Sequence, residues 1–137
     1  MPLDQLSLLT AIAFSSAALT ITLFVGWLGS RQDTYLLSWS IGLSLVVAGV
    51  VLFGILAESY NATLNLASFA LTQGGFAFIY AGAIQFRAKP LPMAAVAIMG
   101  LGLIALTGVA FLAGLSGLGA IFSNLSMALL MALCAHE

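Results

Sequence analysis

Charge is confined to a few short places in this chain, and that spacing leaves very few folds open to it. The 137 residues include three Lys/Arg and four Asp/Glu. Between them lie four runs with no charged side chain: Gln5 to Ser30, Thr34 to Ala57, Ser59 to Phe86, and Pro90 to His136. A helix crossing the hydrocarbon layer needs about 20 apolar residues. Each of the first three runs fits one crossing, and the fourth is long enough for a helical hairpin. A soluble domain carries about 25% charge to keep its surface wet; this chain is 63% hydrophobic and 5% charged. The expected fold is all-α, a polytopic transmembrane bundle forming one domain over 1–137. Its five helices fall at roughly 6–28, 35–57, 64–86, 93–113 and 118–135.

Local signals place the ends. Trp27 closes the first helix, and Tyr35 and Trp39 open the second, as aromatic rings do at headgroup level. The hairpin should break between Gly114 and Gly119, where three glycines make a turn easy. Asn61-Ala62-Thr63 matches a glycosylation sequon, but a helix cap is the better reading in a short connection at the membrane. The N-terminus opens Met1-Pro2-Leu3-Asp4 without a positive n-region, so the first apolar run reads as a retained helix and not a cleaved signal.

Five crossings put Arg31, Arg87 and Lys89 on one side, together with the C-terminal His136-Glu137. Positive residues collect in cytoplasmic loops. The expected orientation is N-terminus outside and C-terminus cytoplasmic, in a bacterial inner membrane. The short basic loop around Arg87 and Lys89, between two charge-free runs, sets that topology.

Composition also removes whole classes of function. A net charge of −1 offers no basic footing for nucleic acid. Cys134 is the sole cysteine, which rules out an intrachain disulfide and a thiolate metal cluster. No acid or base falls inside a span, which argues against a pump, a proton-coupled transporter and an intramembrane protease. His136 is the one histidine, so a bis-histidine haem has no second ligand. No catalytic residue, metal ligand or cofactor is expected, and the chain reads as a non-enzyme.

Polar residues inside the spans include Thr20, Thr22, Ser38, Ser40, Ser44, Asn65, Ser68, Thr72, Gln73, Ser123, Asn124 and Ser126. A polar side chain in lipid seeks a partner, so these read first as bonds between helices. Gln73 beside Gly74-Gly75 stands out, because two glycines at mid-helix let another backbone come close. Small residues recur every fourth position at Ser40/Ser44/Ala48, at Ala70/Gly74 and at Ala110/Gly114, and such rows suit close helix packing. Phe69, Phe76, Phe78 and Tyr80 read as lipid-facing or core aromatics in preference to contacts for a pigment or quinone.

From Arg31 to Pro92 a longer pattern appears. Arg31-x4-Leu36-Leu37-x-Trp39-x2-Gly42-x2-Leu45 leads to Gly49; after an acidic connection come Gln73-x2-Phe76-x3-Tyr80-Ala81-Gly82 and Gln85-Phe86-Arg87-Ala88-Lys89-Pro90. This resembles the N-terminal membrane-input region of bacterial diguanylate cyclases, the proteins with a C-terminal GGDEF domain. The departures are Ala88, where the family loop has a glycine, fewer basic residues, and the lack of any Gly-Gly-Asp-Glu-Phe run. The resemblance therefore implies a sensory module without its catalytic output, and no active-site residue carries over. The competing expectation is an accessory subunit of a larger respiratory or photosynthetic membrane complex. Expected partners are the lipid bilayer, other membrane subunits and a bound lipid.

Overall fold

The structure is a computed structural model that describes residues 2–56, 61–87 and 93–136. Five helices follow in order: α1 (Pro2–Gly29), α2 (Thr34–Leu56), α3 (Ala62–Phe86), α4 (Met93–Leu112) and α5 (Ser116–His136). All five contain a stretch long and apolar enough to cross a membrane. That suits a multi-pass protein, because a helix satisfies its own backbone hydrogen bonds where no water can.

The connections follow from local chemistry. Between α1 and α2 the Ser30 hydroxyl donates to Asp33 at 2.6 Å, and the Arg31 guanidinium lies over the Trp27 ring, 5.8 Å from its centre. Asn61 caps α3, its side chain accepting from the Thr63 and Leu64 backbone N–H groups at 2.9 and 3.4 Å. The cap reading of that tripeptide holds. After α4, Gly114 adopts φ +76°. The Leu115 N–H reaches back to the Ala110 carbonyl and the Gly114 N–H to that of Phe111, closing the helix with a Schellman turn.

The turn is tighter than the sequence suggested. Gly117 and Gly119 belong to α5, not to the connection. Gly119 has another use: a Cβ there would lie 2.8 Å from the Phe111 ring, so its bareness seats α5 against α4.

Successive helices run antiparallel, and α3 is the hub, touching α2, α4 and α5. Among the described residues α1 touches α2 alone, and no residue of its Thr10–Gly29 span is buried. Tyr35 at the start of α2 meets Phe86 at the end of α3, with ring centres 5.2 Å apart. Arg31 and Arg87 therefore emerge at the same end of the bundle. Lys89, the third basic residue, lies outside the described residues, as do Ala88 and Glu58.

Candidate functional site

Two contacts around α3 hold the polar and small residues that could carry function. The first is the seam between α2 and α3. A Cβ on Gly42 would sit 2.7 Å from the Gly75 carbonyl oxygen, and one on Gly75 would be as tight against Gly42. One end of the seam has Gly49, where a Cβ would come within 2.9 Å of the Ser68 carbonyl. Ser68 donates its hydroxyl to the Gly49 carbonyl at 2.7 Å. At the other end Gly82 lies under the Trp39 ring. The Trp39 indole N–H donates to the Ile79 carbonyl at 3.0 Å, and its ring meets Tyr35 and Phe86. Glycines seven residues apart on each helix thus let two backbones touch. In lipid, where burial of apolar surface drives nothing, such fit is the main source of helix association.

The second contact is a polar layer joining α3, α4 and α5. Gln73 is 1% exposed and Thr107 is 1% exposed. The Gln73 amide nitrogen donates to the Thr107 hydroxyl at 2.8 Å, and that hydroxyl donates to the Leu103 carbonyl at 3.0 Å. Thr107 is thereby committed on both sides. Phe111 of α4 lies against Gly119 of α5, and counting one helical turn away from the hairpin on each helix of this antiparallel pair brings Thr107 and Ser123 to a similar height. Ser123 is fully buried. Its hydroxyl and the Gln73 Oε1 are buried polar atoms with no hydrogen-bond partner among the described residues. In hydrocarbon that costs each of them several kcal/mol, so this layer is the least satisfied part of the bundle. Its groups are neutral amides and hydroxyls, suited to holding and orienting, not to acid–base chemistry. Among the described residues no cluster of three or more His, Cys, Asp or Glu could hold a metal.

The residues singled out from sequence separate into distinct places. Gln73 and Gly75 lie in the core, one in the polar layer and one in the seam. Gly74 takes no part in either contact: nothing approaches within 4 Å of where its Cβ would be. The row Ser40/Ser44/Ala48 does not run along one interface. Ser40 is buried and donates to the Thr20 carbonyl of α1 at 3.3 Å, while Ser44 and Ala48 are exposed. The physical reason is that α2 meets α3 on its Gly42/Gly49 face, which points elsewhere.

The expectation of polar bonds between helices also needs correction. Thr20, Thr22, Ser44, Thr72 and Ser126 each turn back to the carbonyl four residues earlier on their own helix. Ser38, Ser40, Ser68 and Gln73 do reach across.

No family model, curated protein or solved structure matches this chain.

Sequence reasoning did not single out Thr107, and it named Ser123 only as one of the span polar residues and Gly42 only as part of the Arg31–Pro92 pattern. Thr107 stands alone among apolar neighbours on α4, and an isolated threonine carries no pattern. The Gly42/Gly49 and Gly75/Gly82 pairs did carry a signal, a seven-residue repeat on two adjacent helices.

Proposed function

We propose that the chain is a non-catalytic membrane module that works through how its helices pack, in the manner of a sensory input region like those of diguanylate cyclases. The supporting observation is the uneven grip on the hub helix. Backbone contact and the Trp39 bond lock α2 to α3, whereas α1 is held to α2 by the Ser40 bond to the Thr20 carbonyl with no buried residue in its span, and the hairpin meets α3 at a half-satisfied polar layer. A locked pair with loosely held neighbours can shift those neighbours without breaking. Trp39, Gly42, Gly49 and Gly82, part of the pattern that resembles the cyclase input region, are seam residues. The orientation in this reading puts Arg31, Arg87 and the C-terminus on the cytoplasmic side.

A second reading, an accessory subunit of a larger membrane complex, draws on one feature: α1 has no buried residue in its span and leaves Phe14, Ile21 and Val25 outward.

Affinity isolation from native membranes under mild detergent separates the two. A stoichiometric multi-subunit membrane complex supports the subunit reading and removes the first. A free bundle, or one joined to a cyclase-type output domain, supports the input module. Nucleotide cyclisation by the purified chain would overturn its non-catalytic character. For orientation, single cysteines are placed at Gln32 and Gly117 in a Cys134→Ser background. An impermeant thiol reagent on intact cells should label Gly117→Cys and spare Gln32→Cys; the opposite pattern reverses the topology.

A further inference from the structure

A groove of about 290 Å³ runs between α3 and α4, with Ser38 of α2 at one end. Its floor is made of small side chains, Gly74, Ala77 and Ala81 on α3 and Gly100 on α4. Phe78 and Leu101, 43% and 67% exposed, stand as its rims, so it opens sideways. One end is polar: the Ser38 hydroxyl donates to Gln85 Oε1 at 2.9 Å. Two residues beyond Gln85 is Arg87, exposed at the end of α3.

The dimensions name the occupant. Gly74 to Gln85 spans about 16 Å at 1.5 Å per residue, which is one leaflet of a hydrocarbon core about 30 Å thick. Spread over that length, the groove is about 7–8 Å between its walls, narrower than a helix about 10–12 Å across. It is wide enough for a single extended hydrocarbon chain. The lining beyond Ser38 and Gln85 is apolar, so water has no partners there. At the polar end, level with the ester region of that leaflet, the described charge nearest in sequence to Gln85 is the exposed Arg87 cation. Basic residues at such a position attract anionic lipid headgroups.

We propose that this groove holds one acyl chain of an anionic phospholipid, with its glycerol ester level with Ser38 and Gln85 and its headgroup against Arg87. The site needs no assumption about which leaflet is cytoplasmic. It also gives Gly74 a role, since a side chain there would fill the groove.

The test uses the full chain in vesicles of phosphatidylcholine, doped in separate samples with phosphatidylglycerol or phosphatidylcholine bearing a photoactivatable acyl chain. Labelled peptides are mapped by mass spectrometry. The expected result is labelling concentrated on Phe78, Leu101 and their neighbours, stronger for phosphatidylglycerol. Gly74→Leu should reduce it to the level seen on α1, and Ala97→Leu, from the other wall, should do the same, so that misfolding of one variant does not decide the matter. Arg87→Gln should lower the preference for phosphatidylglycerol about five-fold, the equivalent of one juxtamembrane charge. Labelling spread evenly around the bundle and indifferent to Gly74→Leu would overturn the site. An unchanged headgroup preference in Arg87→Gln would overturn its anionic selectivity. Cross-links to a second polypeptide through Phe78 and Leu101 would show that a helix, not a lipid, covers this face.

Discussion

The α2–α3 seam and the α3–α4–α5 layer solve the same problem in opposite ways. Helices in lipid gain nothing from hiding apolar surface from one another, so they must either touch closely or exchange hydrogen bonds. The seam takes the first course: Gly42 and Gly75 bring backbones together, and its polar groups, the Ser68 hydroxyl and the Trp39 indole, both end on carbonyls across the gap. The layer takes the second, and leaves Gln73 Oε1 and Ser123 Oγ without partners. Steric fit between glycines has one solution, which makes the seam rigid. A hydrogen-bonded layer with spare donors and acceptors lacks that steric constraint, so the hairpin is held less specifically than α2.

The sharpest break of this contrast is a side chain in the seam. Gly49→Leu meets the Thr72 hydroxyl and the Ser68 carbonyl, and the carbonyl cannot step aside without moving α3. Overpacking of this kind costs about 1–3 kcal/mol, and the backbone contact puts this variant near the upper end. Detergent-titrated unfolding followed by helical circular dichroism measures it.

The polar layer should respond less. Gln73→Leu loses the bond to Thr107, and interhelical bonds in membranes average about 0.6 kcal/mol. It also removes the unpartnered Oε1, which offsets that loss, so the variant should be about as stable as the parent or more so. A loss as large as that of Gly49→Leu would mean that the layer, and not the seam, locks the bundle.

Ser44→Leu should likewise change little. Ser44 is exposed, and its hydroxyl is already satisfied by the Ser40 carbonyl on its own helix. Surface changes of this kind stay within about 0.5 kcal/mol. A clear loss of assembly in native membranes, with the isolated bundle unaffected, would place a partner protein on the Ser44/Ala48 face.

Much of this architecture was legible in the residues. Charge-free runs give the spans because a charge in hydrocarbon is costly, and the Asn61 cap follows from the same local chemistry wherever it occurs. Interfaces were harder to read. Small residues do recur at every fourth position, the spacing of one helix face over a turn. The seam instead uses Gly42/Gly49 and Gly75/Gly82, because two antiparallel helices winding gently about each other meet again after seven residues. Polar residues misled for a related reason. A serine or threonine hydroxyl can bond to its own helix as easily as to a neighbour, and sequence does not say which it chooses. Thr107 had to be seen against Gln73 before either meant much.

The most direct measurement of the central claim is a steric ladder at two glycines. Gly42 and Gly74 are each replaced by Ala, Val and Leu, and unfolding of the six variants is compared in the same bilayer mimic. Gly42 faces the Gly75 backbone and Gly74 faces open groove. Stability is expected to fall at every step of the Gly42 series, and to stay nearly level through the Gly74 series. Equal slopes at the two positions, or a steeper fall at Gly74, would contradict an α2–α3 seam closed at backbone distance.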